Sequence, residues 1–220
     1  MIFNSNGFPR PNGATDWLDS AHLAGLMAFV GHEKMSIEKL GKYFNFETLL
    51  ATRCPRDNSG LNPSNPNNFT RDQLICYLSG FYKSYPVIPW ALLKAAKSRG
   101  YRAQNTEKDI PGSTKKFPDG PDILDPSHVG YMKICAGLKA NWFERLWMLA
   151  RIKISSKFFP LKEPNNIIVM SIVYGYADIL KKSNPQIFQA IKNYWCENEG
   201  AWRGEPELAE MLIKKLGEAT

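Results

Sequence analysis

Apolar residues recur at helical spacing through most of the chain, and runs of strict apolar–polar alternation are short and few. This pattern predicts an all-α protein. The predicted helices span residues 15–31, 36–50, 70–85, 89–99, 127–138, 140–156, 165–183, 185–196 and 205–217. The chain has 220 residues, 44% of them apolar, which is enough to bury one sizeable core. We therefore expect a single domain over residues 1–220, with 1–14 as an irregular N-terminal arm and 197–220 as a C-terminal segment that carries the last helix.

The connections between the predicted helices alternate in length. Long segments rich in Pro, Gly and Asn precede the first, third, fifth and seventh helices, at residues 4–14, 51–69, 100–126 and 157–164. Short links join each of these helices to its successor, which predicts an array of about four helical hairpins. The second member of a hairpin, such as NWFERLWMLARIKISS at 141–156, is expected to be an outer helix with one apolar stripe and one wet face.

The four helices that follow the long connections share a weak repeat. They read TDWLDSAHLAG (15–25), TRDQLICYLSG (70–80), SHVGYMKICAG (127–137) and NNIIVMSIVYG (165–175). Each begins with a residue that is favoured at helix N-caps and reaches a glycine ten positions later. The register indicates either structural repetition or a coincidence among common helix caps. Because glycine inside a helix costs about 0.5–1 kcal/mol relative to alanine, we expect a neighbouring helix to approach closely at these positions.

The aligned register also predicts where polar residues lie. Asp16, Arg71, His128 and Asn166 fall at equivalent positions, so four parallel inner helices would gather them at one rim. Thr70 has the Thr-x-x-Gln spacing of a capping box, which gives this helix start a structural role. Arg71 would then either hold a ligand carboxylate in a bidentate pair or anchor the preceding loop through a carboxylate. In the second case, the loop carboxylate that would pair with Arg71 is that of Asp57.

Two groups of residues allow both a chemical and a structural interpretation. Asp16, Asp19 and His22 are spaced to share a proton or a metal ion, but the two carboxylates would equally favour a helix N-terminus while His22 makes a hydrogen bond. Farther along, Asp125 could orient His128 as a general base, with Tyr131 one turn on as a proton donor. The alternative is that Asp125 or Ser127 caps a helix beside an incidental histidine.

Composition and motifs exclude several classes of protein. No Walker loop, dinucleotide fingerprint, G-x-S-x-G elbow or H-E-x-x-H helix occurs, and the four cysteines are too far apart for a zinc knuckle, so we expect no cofactor and no metal. We see no signal peptide, and the longest apolar run is too short to span a bilayer. The net charge is +7. We interpret the basic stretch 94–116 as a solvated helix end followed by a loop, and we consider a nucleic-acid-binding site there the less favoured alternative.

The hairpin pattern over residues 14–196 resembles the α/α-toroid architecture, in which helical hairpins close into a ring. About four hairpins, where familiar toroid enzymes have about six, imply at most a partial toroid. Toroids that act on glycans use carboxylates, His, Tyr and Arg at the rim of the ring. The resemblance therefore implies a hydrolase or lyase acting on a bacterial polysaccharide as one hypothesis. Its candidate catalytic residues are His128, Tyr131, Arg71, Asp16 and His22.

The segments DWLDSAHLAGL, TRDQL, DPSHVGYM and EPELAEMLI together resemble small helical proteins encoded by tailed bacteriophages, a group without an established activity. This resemblance implies a virion or tail-associated structural or accessory protein, found in the virion or the host cytoplasm. Our leading hypothesis is that it acts through contacts with other virion proteins or further copies of itself. Tyr194, Trp195 and Trp202 are the predicted docking residues. A third hypothesis is an accessory factor that binds a host protein or nucleic acid through its basic loop.

Overall fold

A computed structural model describes residues 2–10, 20–55, 69–104, 122–158, 164–193 and 206–219. The helices among these residues are α1 (Ser20–Val30), α2 (Ile37–Gly41), α3 (Arg71–Ser79), α4 (Val87–Ser98), α5 (Pro126–Cys135), α6 (Trp142–Phe158), α7 (Pro164–Tyr174), α8 (Ala177–Ser183), α9 (Ile187–Lys192) and α10 (Pro206–Glu218). Two short antiparallel hairpins accompany them, β1 (Ile2–Phe3) with β2 (Pro9–Arg10), and β3 (Phe44–Asn45) with β4 (Leu50–Ala51). The described part of the chain is mostly helical, which confirms the predicted all-α class.

The predicted helix over residues 36–50 is wrong in its second half, where β3 and β4 form. Asn45 causes the change, because its side-chain oxygen accepts hydrogen bonds from the backbone N–H groups of Glu47 and Thr48 and so closes a turn. Gln104, distant in sequence, then holds the edge of the hairpin. Its amide accepts from the N–H of Ala51 at 3.0 Å and donates to the carbonyl of Ala51 at 2.9 Å.

The inner helices meet most closely where α1 crosses α3. A Cβ atom on Gly25 would lie 2.1 Å from the carbonyl oxygen of Cys76 and 2.5 Å from Cα of Tyr77. At Gly80, just after α3, a Cβ would lie 2.9 Å from Cβ of Ala28 and 3.0 Å from the carbonyl oxygen of Gly25. The expected close approach is therefore confirmed at these two glycines, which let two backbones touch.

The other two glycines of the repeat have a different role. Gly137 and Gly175 have φ angles of +76° and +74° and follow the ends of α5 and α7. The next N–H groups reach back to the last turns, from Leu138 to Lys133 and from Tyr176 to Ser171. This is the Schellman ending of a helix. The ending at Gly175 also explains why the predicted helix over residues 165–183 is divided into α7 and α8.

Helices α3, α5 and α7 contact one another pairwise, and α1 packs on α3. Buried tyrosines hold this triangle together. The hydroxyl of Tyr131 on α5 donates to the carbonyl of Ile75 on α3 at 2.8 Å, and that of Tyr174 on α7 donates to the carbonyl of Ser127 at 2.6 Å. A triangle filled by side chains differs from the ring of a toroid, so the described packing does not follow the toroid resemblance of the sequence.

The remaining helices cover this centre. α6 packs against α5, α7 and α8, α4 packs against α5, and α10 returns to lie on α1 and α9. Leu208, Ala209, Leu212 and Leu216 are the buried residues of α10. None of the described helices combines the length and the apolar character that crossing a bilayer would need.

Candidate functional site

The N-terminal ends of α3, α5 and α7 bring together the polar residues that the aligned register places level with one another. The side-chain amide of Asn166 on α7 donates to Asp72 on α3 at 2.9 Å. The positive charge of Arg71 on α3 lies close enough to His128 on α5 to contribute to lowering its pKa. Asp16, the fourth member of this level, lies outside the described residues.

Asp125 organises the start of α5. Its Oδ1 atom accepts from the backbone N–H groups of Ser127 at 2.8 Å and His128 at 3.2 Å, and from the Ser127 hydroxyl at 2.5 Å. Pro126 occupies the first turn, where its missing N–H has no cost. Of the two caps considered from the sequence, Asp125 is therefore the one that is formed. Arg151 on α6 completes the cluster, with Nη1 3.2 Å from Oδ2 of Asp125.

His128 lies between these two charges and is 1% exposed. Its Nδ1 atom is 2.8 Å from Oδ1 of Asp125, and its Nε2 atom is 2.8 Å from Nη1 of Arg151. A guanidinium group can only donate, so Nε2 must accept and the proton must reside on Nδ1. Burial lowers the pKa of His128, Asp125 opposes this effect, and Arg151 and Arg71 reinforce it. His128 is thus a neutral imidazole whose lone pair is already engaged by Arg151.

The same cluster fixes the charge of Asp125. Burial would raise the pKa of its carboxyl, but His128, Ser127 and Arg151 together hold that pKa well below its usual range. Asp125 is therefore ionised at any ordinary pH. Asp125 and Arg151 therefore form an ion pair that joins the first turn of α5 to α6, which is a structural role.

Tyr131 does not reach the polar rim. Its ring is fully buried and its hydroxyl is committed to the carbonyl of Ile75. Burial raises the pKa of this hydroxyl well above its ordinary value, and the neighbouring Cys135 and Cys76 add to the effect. A proton donor needs access to its substrate, so this geometry favours a structural role for Tyr131 over the catalytic role considered from the sequence.

His22 is buried on α1, beside α3. Burial lowers its pKa to about 4, and the nearby Asp72 carboxylate partly opposes the shift. His22 is consequently neutral near pH 7. The predicted grouping of His22 with Asp16 and Asp19 has two members, the carboxylates, outside the described residues.

Arg71 occupies the first position of α3, directly after the Thr70 cap. The capping box is present, with the Thr70 hydroxyl accepting from the N–H of Gln73 and the Gln73 side chain accepting from the N–H of Thr70. The backbone N–H of Arg71 donates to Asp122 at 3.1 Å, and its Nε atom lies 3.7 Å from Asp72. Asp57, considered as its loop partner, lies outside the described residues. Arg71 thus stands among carboxylates of the fold itself.

Metal-ligating residues do not converge in the described part of the chain, where no three His, Cys, Asp or Glu side chains are placed to hold an ion. The described cysteines, Cys54, Cys76 and Cys135, are all buried thiols. Burial raises the pKa of Cys135 to about 12, so its thiol stays protonated and is a poor nucleophile.

A different surface on α6 stands out, and the sequence reasoning missed it. The exposed fractions of its side chains are 75% for Trp142, 43% for Phe143, 54% for Leu146 and 44% for Trp147. The rings form a continuous row, because the centroid of Phe143 lies 5.8 Å from that of Trp142 and 5.8 Å from that of Trp147. We call these four residues the α6 aromatic face.

The rotation of α6 is set by Glu144, one of its few polar residues near the start. Glu144 is buried and forms an ion pair with Lys133 on α5. It also forms a reciprocal capping box with Asn141, in which each side chain accepts from the backbone N–H of the other residue, at 2.8 and 2.9 Å. Gly130 on α5 leaves room for this contact, since a Cβ there would lie 2.8 Å from Cβ of Glu144. With Glu144 held inward, and Met148 and Ile152 buried at i+4 and i+8, the aromatic residues lie on the exposed side of the helix.

The expected apolar stripe on this helix is present, but the expected wet face is wrong, because much of that side is apolar. Met148 and Ile152 form the buried stripe, while the aromatic residues lie on the exposed side. A signal was present in the sequence, because α6 carries apolar residues around most of its circumference. The predicted docking residues Tyr194, Trp195 and Trp202 lie outside the described residues.

Comparison of the chain with protein-family models, with characterised proteins and with solved structures finds no match.

Proposed function

We propose that this protein works by docking to another protein through the α6 aromatic face. The observation that carries the proposal is the exposure of two tryptophans, a phenylalanine and a leucine side by side on one helix. Contiguous exposed apolar surface of this kind is typical of interaction sites. Tryptophan is also the residue most often found at the energetic centre of protein interfaces.

The geometry of the polar rim supports a binding role over a catalytic one. A catalytic role would require three side chains to converge on one substrate atom, namely those of His128, Tyr131 and Arg71. The Nε2 atom of His128 is engaged by Arg151, its Nδ1 atom lies 2.8 Å from the Asp125 carboxylate, and the hydroxyl of Tyr131 is committed to a backbone carbonyl in the core. Side chains already paired within the fold stabilise the helix ends, whereas the α6 aromatic face is exposed apolar surface with no such role among the described residues.

The biological setting that we propose is a tailed-bacteriophage particle, as a virion or tail-associated structural or accessory protein. The support for this setting is the sequence resemblance of four short segments. Mass spectrometry of purified particles of a phage that encodes the chain tests the setting separately: the chain should be present at a fixed ratio to the major tail proteins, and its absence from particles would refute the virion assignment.

The docking proposal is tested by changing the face and following a partner. The double variant Trp142→Ala/Trp147→Ala should retain the fold, because neither side chain belongs to the buried core. It should bind its partner at least 100-fold more weakly, since tryptophans at interface hot spots contribute about 2 kcal/mol or more each. The control is Phe46→Ala, which removes an aromatic ring that is 55% exposed on the β3–β4 hairpin.

The partner is first isolated by affinity purification of the tagged chain from cells that naturally produce it. It is then purified, and its affinity for each variant is measured by calorimetry. Loss of binding in Phe46→Ala but not in the tryptophan variant would refute the α6 aromatic face as the docking surface. A chain that is recovered alone in every state of infection would refute docking altogether.

A further inference from the structure

The charges around the α6 aromatic face are of one sign. Residues 83–100 and 133–150 are all described, and they contain a single carboxylate, Glu144, which is buried and paired with Lys133. The cations in these segments that share a helix face or turn with the exposed apolar residues are Lys139 and Arg145 on the α6 side, and Lys94 and Lys97, which follow Trp90 at helical spacing on α4. On α8, which packs against α6, Asp178 is paired with Lys181. The face is therefore apolar at its centre and positive around it.

The apolar surface continues from α6 towards α4. A Cβ on Gly137, in the turn before α6, would lie 3.9 Å from Cβ of Pro86, which immediately precedes α4. The residues that follow these two, Leu138 and Val87, are both exposed. Trp90, one turn into α4, is exposed as well, and Nζ of Lys94 lies 5.4 Å from the centroid of its ring. Cations and aromatic rings thus occur together on both helices.

The combination of exposed apolar residues and neighbouring cations favours one class of partner over others. A second copy of the chain would place cations against cations, which opposes self-association. A single-stranded nucleic acid would use the rings and the lysines, but Leu138, Leu146 and Val87 offer no stacking surface and gain free energy only by contact with another apolar group. An amphipathic helix with an apolar stripe and acidic flanks satisfies both the centre and the border of the face.

We infer that the α6 aromatic face and the adjoining start of α4 bind an acidic amphipathic helix of a partner protein, with the apolar stripe of that helix on the aromatic row and its carboxylates towards the surrounding lysines. This inference rests on the proposed docking function and specifies the chemistry of the partner. Complementary charge at such a border mainly accelerates association and discriminates against the wrong partners.

The test uses two synthetic peptides of about five helical turns. They share the same leucines at helical spacing, but the other positions are glutamate in one peptide and lysine in the other. Affinities for the full chain are measured by calorimetry at low and high salt. The glutamate peptide should bind at least tenfold more tightly than the lysine peptide, and this preference should shrink as salt rises.

Variants separate the two parts of the surface. Trp142→Ala/Trp147→Ala should abolish binding of both peptides, while Lys94→Gln/Lys139→Gln should reduce the preference for glutamate and leave the apolar part of the binding intact. The matched control is Lys192→Gln/Lys214→Gln, which removes two lysines on α9 and α10 and should leave the preference unchanged.

Several outcomes would overturn the inference. Equal affinity for the two peptides, with loss of both in the tryptophan variant, would refute the acidic character of the partner and leave the docking proposal standing. Glutamate-peptide binding that survives the tryptophan variant would refute both. Failure of the glutamate peptide to bind would refute the acidic helical partner. Displacement of that peptide by oligothymidylate or anionic phosphatidylglycerol vesicles would refute it as well, and so would concentration-dependent dimerisation through the face.

Discussion

Replacing Gly25 by alanine should destabilise the protein, although alanine is the better helix former. The new Cβ would lie 2.1 Å from the carbonyl oxygen of Cys76 and 2.5 Å from Cα of Tyr77. Both neighbours are backbone atoms of α3, so no side-chain rotation can relieve the contact. Comfortable contact distances are about 3.5 Å, and α1 and α3 would therefore have to separate by more than about 1 Å.

The magnitude follows from two opposing effects. Alanine gains about 1 kcal/mol over glycine in a helix interior. Overpacking a core typically costs about 1–3 kcal/mol, and a clash with rigid backbone belongs at or above the upper end of that range. We expect a net loss of about 2 kcal/mol in the free energy of unfolding, which corresponds to a fall in Tm of about 4–8 °C for a chain of this size.

Gly217→Ala is the matched control. Gly217 lies on α10, and a Cβ there would have no neighbour within 4 Å. The same substitution should therefore raise the free energy of unfolding by about 0.5–1 kcal/mol. Urea unfolding followed by circular dichroism gives the midpoints of all three proteins, with unchanged slopes expected. A Gly25→Ala protein as stable as the wild type, beside a stabilised Gly217→Ala protein, would refute the close crossing of α1 and α3.

Three further predictions concern the helix ends and buried titratable groups. Thr70→Ala should cost about 1 kcal/mol of unfolding free energy, because it removes half of a capping box, and the urea midpoint checks this. Asp125→Asn should cost about 1–3 kcal/mol at pH 7. The pKa of Asp125 is lower in the folded than in the unfolded chain, so the free energy that its carboxylate contributes to stability is complete above a pH of about 4 and is lost on acidification. Unfolding curves of Asp125→Asn at falling pH should lack that part of the acid dependence. The pKa of His22 falls to about 4 on folding, so the unfolded chain binds the extra proton and stability should decline as the pH drops below about 6.5. His22→Gln should reduce this decline in urea titrations between those two pH values, and an unchanged slope would contradict the burial of a neutral imidazole.

Local sequence signals predicted most of the described helices and several of their ends. The Thr70 capping box depends on neighbours within one turn, so the spacing of residues was sufficient to find it. For α5 the same kind of spacing left two candidate caps, Asp125 and Ser127, and the structure has Asp125. Gly25 was identified because glycine in a helix interior needs a compensating reason. The sequence could not separate this use of glycine from the helix-ending use at Gly137 and Gly175, which differs only in φ.

Features that depend on distant residues were missed. The β3–β4 hairpin is completed by Gln104, and periodicity carries no information about that pairing. Arg151 joins the His128 cluster from α6, so its role emerges only when α5 and α6 pack together. The outward rotation of α6 follows from one ion pair between Glu144 and Lys133, and with apolar residues all around the helix the sequence offers no other way to decide which side is buried.

The return of α10 to α1 bears on how the chain is made. The buried leucines of α10 complete a surface that begins with α1, and the ribosome makes α1 long before it makes α10. In the folded protein, Nζ of Lys215 lies 4.8 Å from the centroid of the Phe29 ring. Until residues 206–218 emerge, Phe29 is not covered by α10. Folding to the final state must therefore wait until residues 206–218 have been made, and until then a chaperone or a protease can meet the apolar side of α1.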